Sequence, residues 1–409
     1  MVVPNGDDAA PTAARLPLAG TRTLELSHIV AGPSGGLLLA DLGSDVIKIE
    51  SPTGGDQARQ MKESYSFVTF NRNKRSLAVD LKHPEGQAIF WKLVATADVV
   101  LDNYAPGVLD RLGIGYARAR ELNPRIIYCA VKGFTPGPYG DRACLDELAQ
   151  MMGGLAYMTG PPGQPLRAGA SIVDIGAATY GVVGVLAALY QREQTGRGQH
   201  IQAGLFETTV FWVAQFLTQV SATGKDVLPM PARGMGRRMA WGIYDLFATR
   251  DGQQVFIGIT SNGHWERFCN EFGLLDLWED PRLATNNLRA DHRDLTLPRI
   301  QAIVGELTRE EVDRRLTAIG VPCAPVNTPA DLLHDEHLRS GNRLLPVRTP
   351  AGEQVEAPAL PMVSSAYTPT VRLQPPRLGE HSAALLAELG YPPAEVARLA
   401  AAGVVRLEQ

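Results

Sequence analysis

Five groups of residues in this 409-residue chain have types and spacings suited to chemistry. Asp174 stands just before an apolar run, Gly176 to Tyr190. A carboxylate there can cap a helix by accepting a backbone N–H two or three residues on. The same position places an ionised carboxylate in the field of a helix start, where it can attack an activated acyl group and form a covalent intermediate. Residue type and placement alone favour the cap. Asn71-Arg72-Asn73-Lys74-Arg75-Ser76, with Lys82 beyond the next apolar run, gathers four cations able to hold phosphates. Arginine offers a planar fork and lysine a point charge. Asn103-Tyr104-Ala105-Pro106-Gly107, followed by Arg111, ends another apolar run. Strand carboxyl ends are where open α/β sheets bind ligands. For both cation-bearing segments a solvated charged loop is the competing reading. Arg233-Gly234-Met235-Gly236-Arg237-Arg238 combines glycines that let a loop close, N–H groups for an oxyanion and arginines for a carboxylate. An exposed linker is the plain alternative there. His28 reads as a hydrogen-bonding residue at a strand end rather than a base.

The elements that must carry these residues follow from hydrophobic patterning. Residues 23–30, 45–50, 76–81, 98–103 and 125–131 are rich in Val, Ile and Leu, as strands buried on both faces are. Residues 35–42, 84–95 and 116–122 between them read as helices, and Pro84 suits a first helical turn. This alternation predicts a mainly parallel sheet wrapped by helices. A long apolar helix over 175–193 follows, with Gly196 as its stop. Residues 223–238, rich in Gly, Pro, Met and Arg, read as a long loop. Beyond it, a strand over 253–260 and helices over 265–275 and 309–318 predict a second, smaller α+β domain. Residues 331–350 read as a return linker and 382–389 as a late helix. The expected division is a flexible tail over 1–20, a large domain over 21–222, a loop and small domain over 223–330, and a return to the large domain over 331–409.

Composition narrows the function. A net charge of −4 lacks the basic excess of a nucleic-acid binder. Cys129, Cys144, Cys269 and Cys323 are too dispersed for a disulfide framework or zinc site. Residues 1–20 have no basic and apolar pattern of a signal peptide, and the run from Gly176 to Tyr190 is shorter than the ~20 residues of a membrane span. Ala31 to Gly36 follows the first strand and Glu50 ends the second, which suggests a dinucleotide site. The G-x-G-x-x-G spacing is absent, however, and Pro33 removes one N–H from the cradle. A tight turn with a solvated Glu50 is favoured over a nicotinamide-dependent oxidoreductase.

Several segments together resemble the family III CoA-transferases, the group that contains the formyl-CoA and carnitine CoA-transferases. They are Ser27 to Pro33, Leu42 to Glu50, Asn71 to Lys82 and Asn103 to Gly107 with Arg111, then Leu122 to Arg125, Thr195 to Gln199 and Leu378 to His381. The resemblance runs from Leu18 to Leu389. It implies a Rossmann-like large domain built from both ends of the chain, an interlocked homodimer and a cytoplasmic enzyme with no membrane or nucleic-acid partner. It implies no permanently bound cofactor or metal, with a coenzyme A thioester as substrate beside small carboxylic acids. Asp174 becomes the nucleophile. Arg75, Val79, Asp80, Leu81, Lys82, Asn103, Tyr104, Ala105 and Arg111 become the CoA-binding set. His28, Val30, Leu145, Asp146, Arg233, Gly234, Met235, Gly236, Arg237 and Arg238 become the substrate and lid set. The glycine run is shorter than in formyl-CoA transferase, and Val30 replaces a glutamine of that enzyme. Racemases of the same fold carry a histidine where this chain has Leu145, which removes the second acid/base group that α-proton exchange needs. A non-catalytic acyl-CoA-binding protein would leave Asp174 as a cap. Residues 151–167 are similar to members that use succinyl-CoA and C4 or C5 dicarboxylates such as malate, mesaconate, citramalate and itaconate.

Overall fold

The structure, a computed structural model, describes residues 16–61, 65–230 and 241–408. The chain divides into two compact units. The first comprises residues 1–155, 168–217 and 337–409, and the second residues 156–167 and 218–336.

In the first unit, six strands lie parallel: β1 (Arg22–Leu26), β2 (Asp45–Glu50), β3 (Lys74–Val79), β4 (Val99–Asp102), β5 (Ile127–Lys132) and β6 (His200–Gly204). Their spatial order is β3-β2-β1-β4-β5-β6. β1 therefore has β2 on one side and β4 on the other, with Leu24 opposite Ile47 and Val100. This is the doubly wound arrangement, whose strand order reverses between β1 and β4 and opens a crevice at the strands' carboxyl ends. Helix Pro84–Val94 starts on Pro84, with the His83 ring accepting the Glu85 N–H at 3.2 Å. It buries Ile89, Phe90 and Leu93 on one face of the sheet. Helices Ala31–Asp41 and Ile172–Thr195 cover the other face through Leu39, Val173, Ala177, Val182 and Val185. The C-terminal chain returns to this unit, and its two-residue strand pairs antiparallel with β3 through Val405 and Val79.

Three expectations change. β1 stops at Leu26 instead of running to residue 30, because Ile29 adopts a left-handed conformation with φ +68°. Leu18 is buried and its N–H meets Leu42 O at 2.9 Å, so ordered chain begins before residue 20. Residues 1–15 lie outside the described residues. The long helix spans 24 residues, Ile172–Thr195, and is long and apolar enough by composition to cross a membrane. Nine of its 24 residues are buried, Val173, Ala177, Val182 and Val185 among them in the core on the sheet, and Gly196, at φ +69°, ends it.

The second unit is an α+β body. Three antiparallel strands, Ile243–Ala248, Gln254–Ile259 and Cys323–Pro325, have the middle one at the centre. Helices Asn262–Phe272, Arg293–Val304 and Arg309–Ala318 enclose Trp265, Phe268, Ile300 and Val312. Thr308 and Glu311 form a reciprocal cap at the third helix.

Candidate active site

The crevice between β1 and β4 is built around a turn. Leu26 ends β1, and Ser27-His28-Ile29-Val30 leads into helix Ala31–Asp41. A left-handed conformation is unfavourable for a β-branched residue such as Ile29 and persists only where its surroundings impose it. Asn103, just beyond β4, clasps the residue before it. Asn103 Oδ1 accepts the His28 N–H at 3.0 Å, and its Nδ2 donates to His28 O at 2.9 Å. Asp56 Oδ1 accepts the Ile29 N–H at 3.0 Å. Lys48, fully buried in the middle of β2, donates to Ser27 O at 3.1 Å and pairs with Glu25 at 2.9 Å and Asp56 at 2.8 Å. Lys74, on β3, pairs with Glu25 at 2.7 Å. A Cβ on Gly36 would lie 1.8 Å from Glu25 Oε2, so only glycine lets the helix pass over this network.

Burial pulls the Lys48 ammonium down, but Glu25 and Asp56 outweigh burial and raise it above the ordinary lysine value. Lys74 is pulled to about 8, by burial first and by Lys48, against the attraction of Glu25. Burial also lowers the His28 imidazole against the pull of Asp56, so the ring is neutral at neutral pH.

This turn forms one wall of a cavity of about 400 Å³. Tyr104, Lys132, Cys144, Leu145, Ser171 and Asp174 line the same cavity. The Tyr104 ring meets the His28 ring edge-on, with centroids 4.5 Å apart. Lys132 is ion-paired with Asp102 and donates to Tyr104 O at 2.7 Å.

Asp174 is the third residue of its helix rather than the residue before it, since the helix starts at Ile172 with Ser171 as N-cap. The Ser171 side chain makes no capping bond. Asp146 Oδ2 accepts the N–H groups of Val173 at 2.8 Å and Asp174 at 3.0 Å. Asp174 is half-buried and pushed up to about 7, by burial first and then by the charges of Asp146 and Glu147. A cavity that brings one basic, partly buried carboxylate to the carboxyl edge of a doubly wound sheet suits acyl transfer through a carboxylate.

Comparison with known proteins decides the family. Residues 18–382 match the family model described as CoA-transferase family III. The chain is a family III CoA-transferase. It is 33% identical to a succinate–glutarate CoA-transferase of Agrobacterium fabrum, over 91% of this chain and 96% of that one. It is also 33% identical to the β subunit of a succinyl-CoA–L-malate CoA-transferase of Chloroflexus aurantiacus, over 92% and 95% of the two chains. A crystal structure of a CAIB/BAIF family protein from Brucella suis superposes with a TM-score of 0.81 at 33% identity, covering 92% of this chain and all of that one. The activity is therefore transfer of CoA between an acyl-CoA and a carboxylate through a covalent intermediate, and the CoA thioester is a substrate.

The transferase distributes the expected residues unevenly. Val79, Asp80, Leu81 and Lys82 follow one another off the carboxyl end of β3, and Asn103, Tyr104 and Ala105 off that of β4. Lys82 and Arg111 are exposed on this edge, and neither makes an ion pair with a described residue. Val79 is instead a core residue, and Leu81 O accepts from Gln87 Nε2 at 3.0 Å. Asp80 Oδ1 accepts the Lys82 N–H at 2.9 Å, which fixes the turn that presents the lysine. Arg75 belongs elsewhere. It is the second residue of β3, toward the amino end of the strand, and is bound to Asp45 and Glu388, each at 2.6 Å. Arg72 and Lys74 of the same basic run are buried against Asp41 and Glu25, so the sequence overstates the cations available to phosphates.

His28, Val30, Leu145 and Asp146 of the substrate set border the cavity, with Asp146 turned to the helix start. Arg233, Gly234, Met235, Gly236, Arg237 and Arg238 lie outside the described residues. Among the described residues no group of three His, Cys, Asp or Glu side chains is placed to hold a metal. Lys48 and Asp56 escaped the sequence reading. The signal available was a charge inside an apolar strand, Val46-Ile47-Lys48-Ile49, which only a buried counter-charge makes tolerable.

Proposed function

We propose that Asp174 is the covalent nucleophile, and that the transferase moves CoA from succinyl-CoA to a C4–C5 dicarboxylate. The observation that carries this reading is the basic, half-buried Asp174 carboxylate that lines the cavity. An Asp174 oxygen attacks the donor thioester carbonyl. The C–S bond breaks, CoA leaves as thiolate, and an acyl-aspartyl anhydride remains. The thiolate attacks the Asp174 carbonyl, expels the donor acid as carboxylate and forms an aspartyl-CoA thioester. The acceptor carboxylate attacks this thioester and releases the thiolate, which then attacks the acceptor carbonyl and frees Asp174. No proton is gained or lost overall. Both intermediates are hydrolysable, so water must be kept out.

Two relatives at equal identity bear names for glutarate and L-malate transfer, which supports a dicarboxylate acceptor without choosing one. The second carboxylate of such an acid calls for a cation. Among the described lining residues the permanent cation is Lys132, already paired with Asp102. We assign the task to Arg233, Arg237 or Arg238. We further place the enzyme in the cytoplasm, in keeping with its four free cysteines, as an interlocked homodimer. Ile175, Val183, Leu186 and Tyr190 on the long helix, with Phe211, whose ring meets Tyr180 of that helix, are exposed, and a second copy would cover them.

The test is to add succinyl-CoA, quench with hydroxylamine and map the modified peptide. A hydroxamate at Asp174, with malate, citramalate or itaconate accepting CoA, is the expected result. Turnover with no label at Asp174, retained when Asp174 becomes alanine, would sink the mechanism.

A further inference from the structure

The nucleophile's helix begins without a cap of its own. Ser171 contributes no side-chain bond, yet the first N–H groups of a helix need acceptors and carry its positive end. The acceptor comes from 28 residues earlier in the chain. Asp146 Oδ2 takes the N–H groups of both Val173 and Asp174. The other oxygen, Oδ1, accepts from Gln150 Nε2. Gln150 is fully buried, and its Oε1 accepts the Ala168 N–H at 2.8 Å. Gln150 thus ties Asp146 to the strand of chain that leads into the nucleophile's helix.

Resting on the assignment of Asp174 as nucleophile, we propose that Asp146 is a positioning residue that fixes the first turn of the Asp174 helix and places a second negative charge at its positive end, beside the nucleophile.

An unoccupied helix start would favour ionised Asp174 and make it a weaker base. With Asp146 in place the N–H groups nearest Asp174 are already bonded to an anion. Basicity matters twice in this chemistry. A more basic carboxylate attacks the thioester faster, and it is a poorer leaving group from its own anhydride, so the thiolate has longer to attack. The other charged and titratable groups around Asp174 do not supply this effect alone. Glu147, on the same helix as Asp146, adds a like charge. On the turn after β1, the His28 imidazole is neutral. At the end of β5, Lys132 is matched by Asp102. In the loop before Asp146, the Cys144 thiol is pushed up to about 11 by burial, Asp174 and Glu207, so it is neutral too, and Arg142 acts on Cys144. On helix Leu205–Trp212, Glu207 is engaged by the N–H and hydroxyl of Thr135.

The test separates charge from shape. In Asp146→Asn the amide oxygen can still accept both N–H groups, while the charge is gone. Labelling with 13Cγ-aspartate, with Asp174→Asn assigning the resonance, reads the Asp174 titration without any need for turnover. The midpoint should fall by about one pH unit in Asp146→Asn. The acid limb of kcat/KM for succinyl-CoA should fall by the same amount, and the plateau rate should drop several-fold with KM for the CoA donor unchanged. Asp146→Ser, whose hydroxyl is also a good capping acceptor, carries the test if the asparagine variant does not fold. An unchanged midpoint in a folded variant would overturn the proposal and leave Asp146 as a fold residue only. A shifted midpoint in a protein that never labels at Asp174 would instead keep the electrostatic role and overturn the assignment of the nucleophile.

Discussion

Two clusters of charge lie in the same unit of the chain, and they are balanced differently. Around Lys48, two ammonium groups face two carboxylates: Lys48 and Lys74 against Glu25 and Asp56, none more than 2% exposed. The proton affinity of Asp174 is raised by burial first and then by the like charges of Asp146 and Glu147. Buried charges that cancel are expensive to break and therefore fix shape. Here they fix the Ser27–Val30 turn. Burial, with a like charge beside it, raises the proton affinity of a carboxylate and sets its reactivity. The transferase thus uses a neutral network as scaffold and, as reagent, a half-buried carboxylate, Asp174, with the like charge of Asp146 next to it.

The strongest way to break the comparison is to remove the reagent. Asp174→Ala should lower kcat by at least ~10⁴-fold, as loss of a covalent nucleophile does. The same substitution should stabilise the fold at neutral pH. The Asp174 carboxyl is raised from 3.8 to about 7, so the folded state binds the proton more tightly than the unfolded chain. Stability from this group is present below pH 4 and is lost as pH rises toward 7. At pH 8 the alanine variant should therefore exceed the wild type by on the order of 3 kcal/mol, less any cost of altered packing. Urea denaturation at pH 5 and pH 8 checks both points. Equal stability differences at the two values would refute the raised proton affinity. In the wild type, kcat/KM should rise with pH through about 7 as Asp174 ionises, and a flat profile from pH 5 to 8 would count equally against it.

Removing a member of the scaffold should act in the opposite sense. Lys48→Met leaves Glu25 and Asp56 buried with Lys74 alone, and a broken buried ion pair costs about 3–5 kcal/mol. Chemical denaturation should show a destabilisation of that size. A loss under about 1 kcal/mol would mean that Lys74 moves to serve both acids.

Asn103→Ala is expected to be milder. It removes both bonds to the His28 backbone but leaves Asp56 and Lys48 in place. A loss of about 2 kcal/mol in stability follows from two hydrogen bonds, with KM for the acyl-CoA raised more than kcat is lowered. An effect confined to kcat would indicate that Asn103 acts on the chemistry rather than on the turn.

The parts of this design legible in the sequence are those set by local pattern. β2 and the helices over 116–122 and 309–318 fall where hydrophobic spacing puts them, and Gly196 stops the long helix as a glycine at that place should. What was hidden depends on residues far apart in the chain. His28-Ile29-Val30 looks like the end of a strand, and only Asp56 and Asn103 turn it out of one. Asp174 looks like a cap, and only Asp146, 28 residues away, makes it a third helical residue with a different electrostatic setting. Arg75 looks like a phosphate ligand until Asp45 and Glu388 claim it.

Ile29 gives the smallest expected effect and tests the scaffold at its most strained point. Its left-handed backbone costs roughly 1–2 kcal/mol for an L residue, and glycine removes that cost. Glycine also frees the unfolded chain, at about 0.5–1 kcal/mol, and it gives up the partly buried side chain. The terms nearly cancel, so Ile29→Gly should leave stability within about 1 kcal/mol of the wild type. Function should be more sensitive, because the turn forms one wall of the cavity and glycine allows it conformations that isoleucine does not. The expected outcome is an unchanged melting temperature with a several-fold fall in kcat/KM and a larger fraction of acyl-CoA lost to hydrolysis. A fall in stability of more than about 2 kcal/mol would show that Ile29 holds the turn through side-chain packing. The clasp of Asp56 and Asn103 would then be secondary, and the claim that neutral buried charge fixes the shape of this site would lose its main support.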